Sequence, residues 1–171
     1  MTCTEWKGNP VSKGIAIAKG YIYEPLNLTV DRKTIAKEQV TQEQERFCKA
    51  ISLADAELNS LYHKLQAKHP EQAKIFMAHR ELLEDDEILE ETKMAIADEC
   101  FTAESAVEKV FHQFAELLAN VEDPLIAERA ADLLDVKRRV LRILLNREER
   151  RLDCFTEDVI VVAHDLLPSD T

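Results

Sequence analysis

The chain contains only three glycines in 171 residues, and all three lie within the first twenty positions. Glycine supplies turns and unusual backbone angles, and it weakens the interior of a helix. The head of the chain, with Gly8, Gly14 and Gly20, is therefore predicted to form turns and strands. The rest of the chain, which has no glycine, is predicted to be mainly helical.

Closely spaced cysteines and long apolar runs are also missing. Cys3, Cys48, Cys100 and Cys154 form no Cys-x-x-Cys pair, which argues against a structural zinc site or a redox motif and favours reduced thiols. The amino terminus has no apolar signal core, and no run approaches the ~20 apolar residues that span a bilayer. We therefore expect a soluble, cytoplasmic protein that does not insert into a membrane.

Positive charge is scarce, because 22 Lys and Arg residues face 33 Asp and Glu residues and the formal net charge is -11. Nucleic-acid binding depends on neutralising phosphates with Lys and Arg, so this class of partner is excluded. An acidic surface suits a basic protein partner, although net charge also serves solubility.

Catalytic patterns are missing as well. The five histidines form no H-x-x-x-H or H-E-x-x-H pattern, and the sequence has no glycine-rich phosphate loop. A Ser-His-Asp set cannot be assembled either. The sequence therefore predicts neither a metal site nor an active site.

Apolar residues recur at helical spacing from Ile35 onward. The pattern predicts a long helix over 40–65, a second helix after Pro70, and a third after the acidic residues 84–87. Thr102 is a predicted helix N-cap, and Asp123 followed by a proline opens a further helix. Four or five helices with short connections predict an antiparallel helical bundle.

Strand patterns stand at both ends of this helical region. The segments "GIAIAKGYIYEP" and "DVIVVA" are rich in β-branched and aromatic residues, and the second has no local partner except the first. The chain is therefore predicted to be mainly α, with an antiparallel helical bundle inserted into an incomplete α/β domain. The predicted boundaries are 1–30 for the first strands, 31–148 for the bundle and 149–171 for the return strand.

Two polar residues, His79 and Arg129, occupy positions on apolar helical stripes. Burying such groups is costly unless they are paired, so each residue is either paired inside the fold or marks a stripe that reaches the surface. The second alternative predicts an apolar patch rimmed by charge, where a partner contacts Leu82, Ile88, Leu118 or Ile126. The run "LLEDDEILEE" is either a solvated face or part of the same binding surface.

Four segments resemble, in order, the amino-terminal half of enzyme I, the phosphoenolpyruvate–protein phosphotransferase of the bacterial sugar phosphotransferase system. They are "NPVSKGIAIAKGYIY", "IFMAHRELLEDDEILEE", "ERAADLLDVKRRVL" and "VIVVAHDLLPSDT". The resemblance implies an α/β phosphohistidine domain interrupted by a helical bundle that docks the phosphocarrier HPr. It also implies that phosphoenolpyruvate and Mg²⁺ bind a separate carboxy-terminal domain, which would be a second partner, so no cofactor is expected here.

By position, the resemblance places HPr docking on residues of four predicted helices: His79, Leu82, Asp86, Glu87, Ile88, Leu118, Ile126 and Arg129. The phosphorylated histidine of the family lies in a Gly-Gly-x-x-Ser-His stretch expected beyond Thr171. The chain is therefore expected to contain no catalytic residue and to be inactive in phosphotransfer alone. Lys13 and His164 depart from the family pattern, and only Glu71 remains of an acidic cluster that the family has at the start of the second helix.

Other functions fit the same sequence. One is a stand-alone, non-catalytic helical module for protein interaction or regulation. Another is an enzyme I-like paralogue that serves a nitrogen or dihydroxyacetone phosphotransferase system. Pyruvate phosphate dikinase, which shares the chemistry, differs from this chain because it lacks an HPr-docking bundle.

Overall fold

The computed structural model describes residues 13–23, 28–147 and 155–163. Two short strands enclose five α-helices in the order of the chain, and a single 3₁₀ turn over Lys37–Gln39 precedes the first helix. The elements are β1 (Lys19–Tyr23), α1 (Val40–Gln66), α2 (Pro70–Leu83), α3 (Asp86–Asp98), α4 (Ala103–Ala119), α5 (Pro124–Leu144) and β2 (Val159–Ala163). The prediction of a mainly helical chain with a strand at each end of the helical region is confirmed.

The starts of the later helices follow from local capping chemistry. The Asp85 carboxylate accepts hydrogen bonds from two backbone N–H groups of α3, and Thr102 Oγ1 accepts one from the backbone N–H of Ser105 in α4. Asp123 accepts from the backbone N–H of Leu125 at 2.9 Å, with proline following it as the first residue of α5. These side chains satisfy N–H groups that have no partner within the helix, so the predicted starts of α4 and α5 are confirmed.

The helices enclose one apolar core. Its largest fully buried members come from α1, α2, α3, α4 and α5 and include Phe47, Leu58, Leu83, Ile96, Phe111 and Leu133. On α3, four residues at helical spacing are buried, namely Ile88, Thr92, Ala95 and Ile96. Burial of these side chains is the main stabilising contribution to the bundle.

An ion-pair cluster ties α1 to α4. The Arg46 guanidinium donates to both carboxylate oxygens of Glu43 at 2.7 Å and also to Glu104. Burial acts to lower the pKa of Arg46, but its hydrogen bonds to the two carboxylates raise it overall. Glu43 also accepts from the backbone N–H of Ala103 at 2.8 Å, so it holds the first turn of α4 against α1.

The two strands pair in parallel, with Lys19 opposite Val159 and Tyr23 opposite Ala163. The helical region is thus the connection between two adjacent parallel strands. β1 begins at Lys19, later than the predicted segment, and the side chains of Ile15 and Ile17 before it are 95% and 94% exposed. The reason is that, in the parallel register, these two residues lie opposite residues 155–157, which precede the start of β2.

The last helix ends before residue 148, the predicted end of the bundle. The backbone N–H of Leu145 bonds to the carbonyl of Leu141, and Asn146 adopts a positive φ of 50° that terminates the helical path. Several residues discussed from the sequence lie outside the described residues, namely Cys3, Cys154, His164 and the closing segment 164–171. Within the described ranges, no helix is both long enough and apolar enough to cross a membrane.

Candidate partner-binding surface

Four helix ends meet on one side of the bundle. Only two residues separate the end of α2 from the start of α3, and four separate the end of α4 from the start of α5. Between α2 and α5, Glu81 lies 3.9 Å from Arg129, and Nε2 of His79 lies 3.3 Å from Oδ1 of Asp132. Residues at these four ends therefore share one region of the surface. Six of the eight predicted docking residues are exposed or half-buried in this region. We call these six residues the docking face: Leu82, Asp86, Glu87, Leu118, Ile126 and Arg129.

The apolar part of the docking face comes from three helices. Leu82 of α2 and Leu118 of α4 are half-buried and pack against the core, while Ile126 of α5 is 39% exposed. Leu117 and Leu125 next to them are 65% and 74% exposed. An apolar patch of this kind at the surface is typical of a site that another protein covers.

The charged part of the docking face is strongly acidic. Asp86 and Glu87 are exposed in the first turn of α3, and Glu81, Glu84 and Glu128 are exposed nearby in sequence. Carboxylates at this position also face the positive end of the helix dipole. The surface therefore favours a basic partner.

Within the acidic run the four residues have different surroundings. Oδ1 of Asp85 accepts from the backbone N–H groups of Glu87 at 3.0 Å and Ile88 at 3.1 Å, so this carboxylate serves the helix. Asp86 and Glu87 make no contact that fixes them in this way in the described structure and are exposed. The exposure of Asp86 and Glu87 is compatible with both interpretations of the run, a solvated face and a binding surface.

Arg129 lies where the apolar stripe of α5 reaches the surface. Its side chain is 48% exposed, and its 3.9 Å contact with Glu81, which is 68% exposed, is a weak surface ion pair. By contrast, Leu133 four residues later is fully buried. Arg129 thus stands at the rim of the apolar patch, which is one of the two alternatives that its position on the stripe left open.

Two of the eight predicted docking residues lie beneath the surface. Ile88 is 3% exposed and belongs to the apolar core. His79 is 1% exposed and contacts two carboxylates of α5, those of Asp132 and Asp135. His79 is therefore a histidine paired inside the fold, which is the first of the two alternatives given for it. In this conformation, neither His79 nor Ile88 exposes surface that a partner could contact.

The carboxylates around His79 were not among the predicted site residues. Asp132 and Asp135 stand three residues apart on α5, beside the buried stripe of Leu133 and Val136, and they face α2. The signal in the sequence was their spacing, because two acids at i and i+3 share a helix face. No group of three or more His, Cys, Asp or Glu side chains in the described part of the chain is arranged to hold a metal ion.

Comparison with known proteins gives concordant matches. The model of the family "PEP-utilising enzyme, N-terminal" matches residues 7–129. The chain is 38% identical over 168 residues to the phosphoenolpyruvate-protein phosphotransferase of Bacillus subtilis (strain 168), and 34% identical over 168 residues to that of Priestia megaterium. Each match covers 98% of this chain, and the chain spans 29% of the length of each relative.

Two solved structures are similar along most of the chain. A solution structure of enzyme I (nEIt) superposes with a TM-score of 0.82 at 36% identity, covering 93% of this chain and 64% of that one. The N-terminal domain of Enzyme 1 - Nitrogen superposes with a TM-score of 0.70 at 30% identity, covering 91% of this chain and 63% of that one.

Proposed function

The chain belongs to the family of PEP-utilising enzymes, of which it represents the N-terminal part, and from this premise we propose that its helical bundle docks the phosphocarrier HPr. The proposal gives the chain the recognition step of a phosphoenolpyruvate-protein phosphotransferase. It gives the described residues no role in the transfer of the phosphoryl group itself. The carboxy-terminal domain that the resemblance implies would then supply phosphoenolpyruvate and Mg²⁺ chemistry.

The observation that supports this proposal is the composition of the docking face. Leu82, Leu118 and Ile126 offer an apolar centre, and Asp86 with Glu87 offers exposed negative charge beside it. The enzyme I resemblance implies that HPr brings an apolar patch and basic residues. Complementary charge would steer the encounter, and desolvation of the apolar centre would supply most of the affinity.

The direct test is a titration of isotope-labelled HPr with this chain. We expect shifts of the HPr signals around its histidine, and weaker binding at high salt because exposed charges are screened. The absence of any interaction at millimolar concentration would contradict the proposal.

Replacing Glu87 with lysine is expected to weaken HPr binding about tenfold, because the exposed carboxylate would become a positive charge facing a basic partner. The free energy of unfolding should change by no more than about 0.5 kcal/mol, as is usual for an exposed position. Calorimetry with HPr and chemical denaturation measure the two quantities.

The matched control for this change is Glu45→Lys, which makes the same charge reversal at an exposed position of α1 away from the docking face. If both variants lost the same affinity, the effect would reflect the net charge of the chain rather than the docking face.

The similarity to the N-terminal domain of Enzyme 1 - Nitrogen supports a second candidate, an enzyme I that serves a nitrogen phosphotransferase system. Its TM-score of 0.70 is lower than the 0.82 of the enzyme I structure, so we favour HPr as the partner. A competition titration between HPr and the carrier protein of a nitrogen system distinguishes the two, since the cognate carrier should bind more tightly.

A further inference from the structure

We infer that His79 is a positioning residue, which acts on partner binding from beneath the docking face by fixing α2 against α5. This inference rests on the proposed function, because it concerns the same surface and the same carrier. The sequence resemblance implied that His79 contacts HPr directly. His79 instead affects HPr binding through the arrangement of α2 and α5.

The burial of His79 is the first step of the argument. Its side chain is 1% exposed, so it offers no area to a partner that binds the outer surface. The ring of Phe76 lies against it edge-on, with the ring centroids 6.3 Å apart. A polar ring at such a position stays in one orientation only if its nitrogens meet fixed polar groups.

Those polar groups come from α5. Nε2 of His79 lies 3.3 Å from Oδ1 of Asp132, and Nδ1 lies 3.6 Å from Oδ2 of Asp135. The first distance is that of a long hydrogen bond, and the second is an ion-pair distance beyond hydrogen-bond length. The hydrogen bond between Nε2 and Asp132 therefore orients the ring and links α2 to α5, while the carboxylate of Asp135 lies beside Nδ1 without a hydrogen bond to it.

The docking face depends on this pair of helices. Leu82 lies three residues after His79 on α2, while Ile126 and Arg129 lie in the first two turns of α5, just before Asp132. A second polar contact between these segments, Glu81 with Arg129, is long and exposed and restrains them little. The distance between Leu82 and Ile126 is therefore determined mainly by buried contacts between α2 and α5, namely apolar packing and the contacts of His79.

A surface that is already in its binding geometry has less ordering to complete when the partner arrives. Loosening the contact between α2 and α5 would let Leu82 move relative to Ile126. The partner would then have to restore their arrangement on binding, and affinity would fall although no contact residue had changed.

Two substitutions test the inference. His79→Leu keeps the bulk and removes both polar contacts, whereas His79→Gln keeps an Nε2 amide that reaches toward Asp132. We expect His79→Leu to weaken HPr binding about tenfold and His79→Gln about threefold, measured where each variant is fully folded. Val140→Ala, which removes a fully buried group of α5 away from this contact, should destabilise the chain without changing the affinity.

Residual dipolar couplings of the free variants provide a second measurement, because they report the orientation of α2 relative to α5. The inference requires that this orientation or its spread changes in His79→Leu and stays as in the unmodified chain in Val140→Ala. Unchanged affinity in a folded His79→Leu or, should that variant fail to fold, in His79→Gln would overturn it. Failure of the unmodified chain to bind HPr would instead refute the proposed function.

Discussion

A chain that carries Leu82→Asp together with Ile126→Asp is expected to bind HPr about a hundredfold more weakly than the unmodified chain. Ile126 is 39% exposed and tolerates a carboxylate, whereas Leu82 is half-buried against the core, so binding is measured under conditions where chemical denaturation shows the variant to be fully folded. In the complex, however, each carboxylate would be covered by the apolar patch of the partner and would lose its hydration. Isothermal titration calorimetry at moderate salt measures the loss.

The control for this variant is Leu53→Asp, which introduces one such carboxylate at an apolar side chain of α1 that is 46% exposed. It alters the net charge and the exposed apolar area in the same direction but lies away from the docking face. An equal loss of affinity in both chains would mean that HPr does not recognise this apolar centre.

Replacing Glu57 with leucine is expected to lower the free energy of unfolding by about 3 kcal/mol, because it removes a carboxylate from two nearly buried arginines. Oε2 of Glu57 accepts from Nη1 of Arg139 at 2.8 Å and also from Arg142. The two arginine side chains are 3% and 12% exposed, so water replaces the lost carboxylate poorly. Chemical denaturation followed by circular dichroism measures the change.

Glu71→Leu is the matched control for Glu57→Leu. Glu71 accepts from Lys74 at 2.8 Å, but the two side chains are 82% and 69% exposed. Its removal should cost less than about 1 kcal/mol, as for other surface ion pairs. Equal destabilisation of the two variants would show that burial of the arginines is not what makes the Glu57 cluster important.

The helices could be predicted from the sequence because their signals are local. Thr102 and Asp123 cap α4 and α5 through hydrogen bonds that span two or three residues, and proline follows Asp123 at a position where it costs no bond. The position of Ile15 and Ile17 could not be predicted in the same way. Strand formation needs a partner strand, and β2 is too short to pair with them.

In the candidate site as well, features that depend on neighbouring residues could be predicted from the sequence, whereas contacts between distant residues could not. The residue types of the docking face came from the enzyme I resemblance, whereas helical spacing left two alternatives for Arg129, whose side chain is 48% exposed in the structure. Ile88 shares the buried face of α3 with Thr92, Ala95 and Ile96, although the resemblance places it among the docking residues. The carboxylate that meets His79 lies 53 residues away in the sequence, so no local pattern could assign that contact.

The most direct test of the account is a titration of methyl-labelled chain with unlabelled HPr. Isotope-labelled leucine and isoleucine methyl groups report each apolar residue of the docking face separately, and Leu53 and Ile160 provide exposed apolar references elsewhere. The account predicts that the methyl signals of Leu82, Leu118 and Ile126 shift at saturation while those of the two reference residues do not. Shifts confined to α1 or to the strands, with the docking face unchanged, would contradict it.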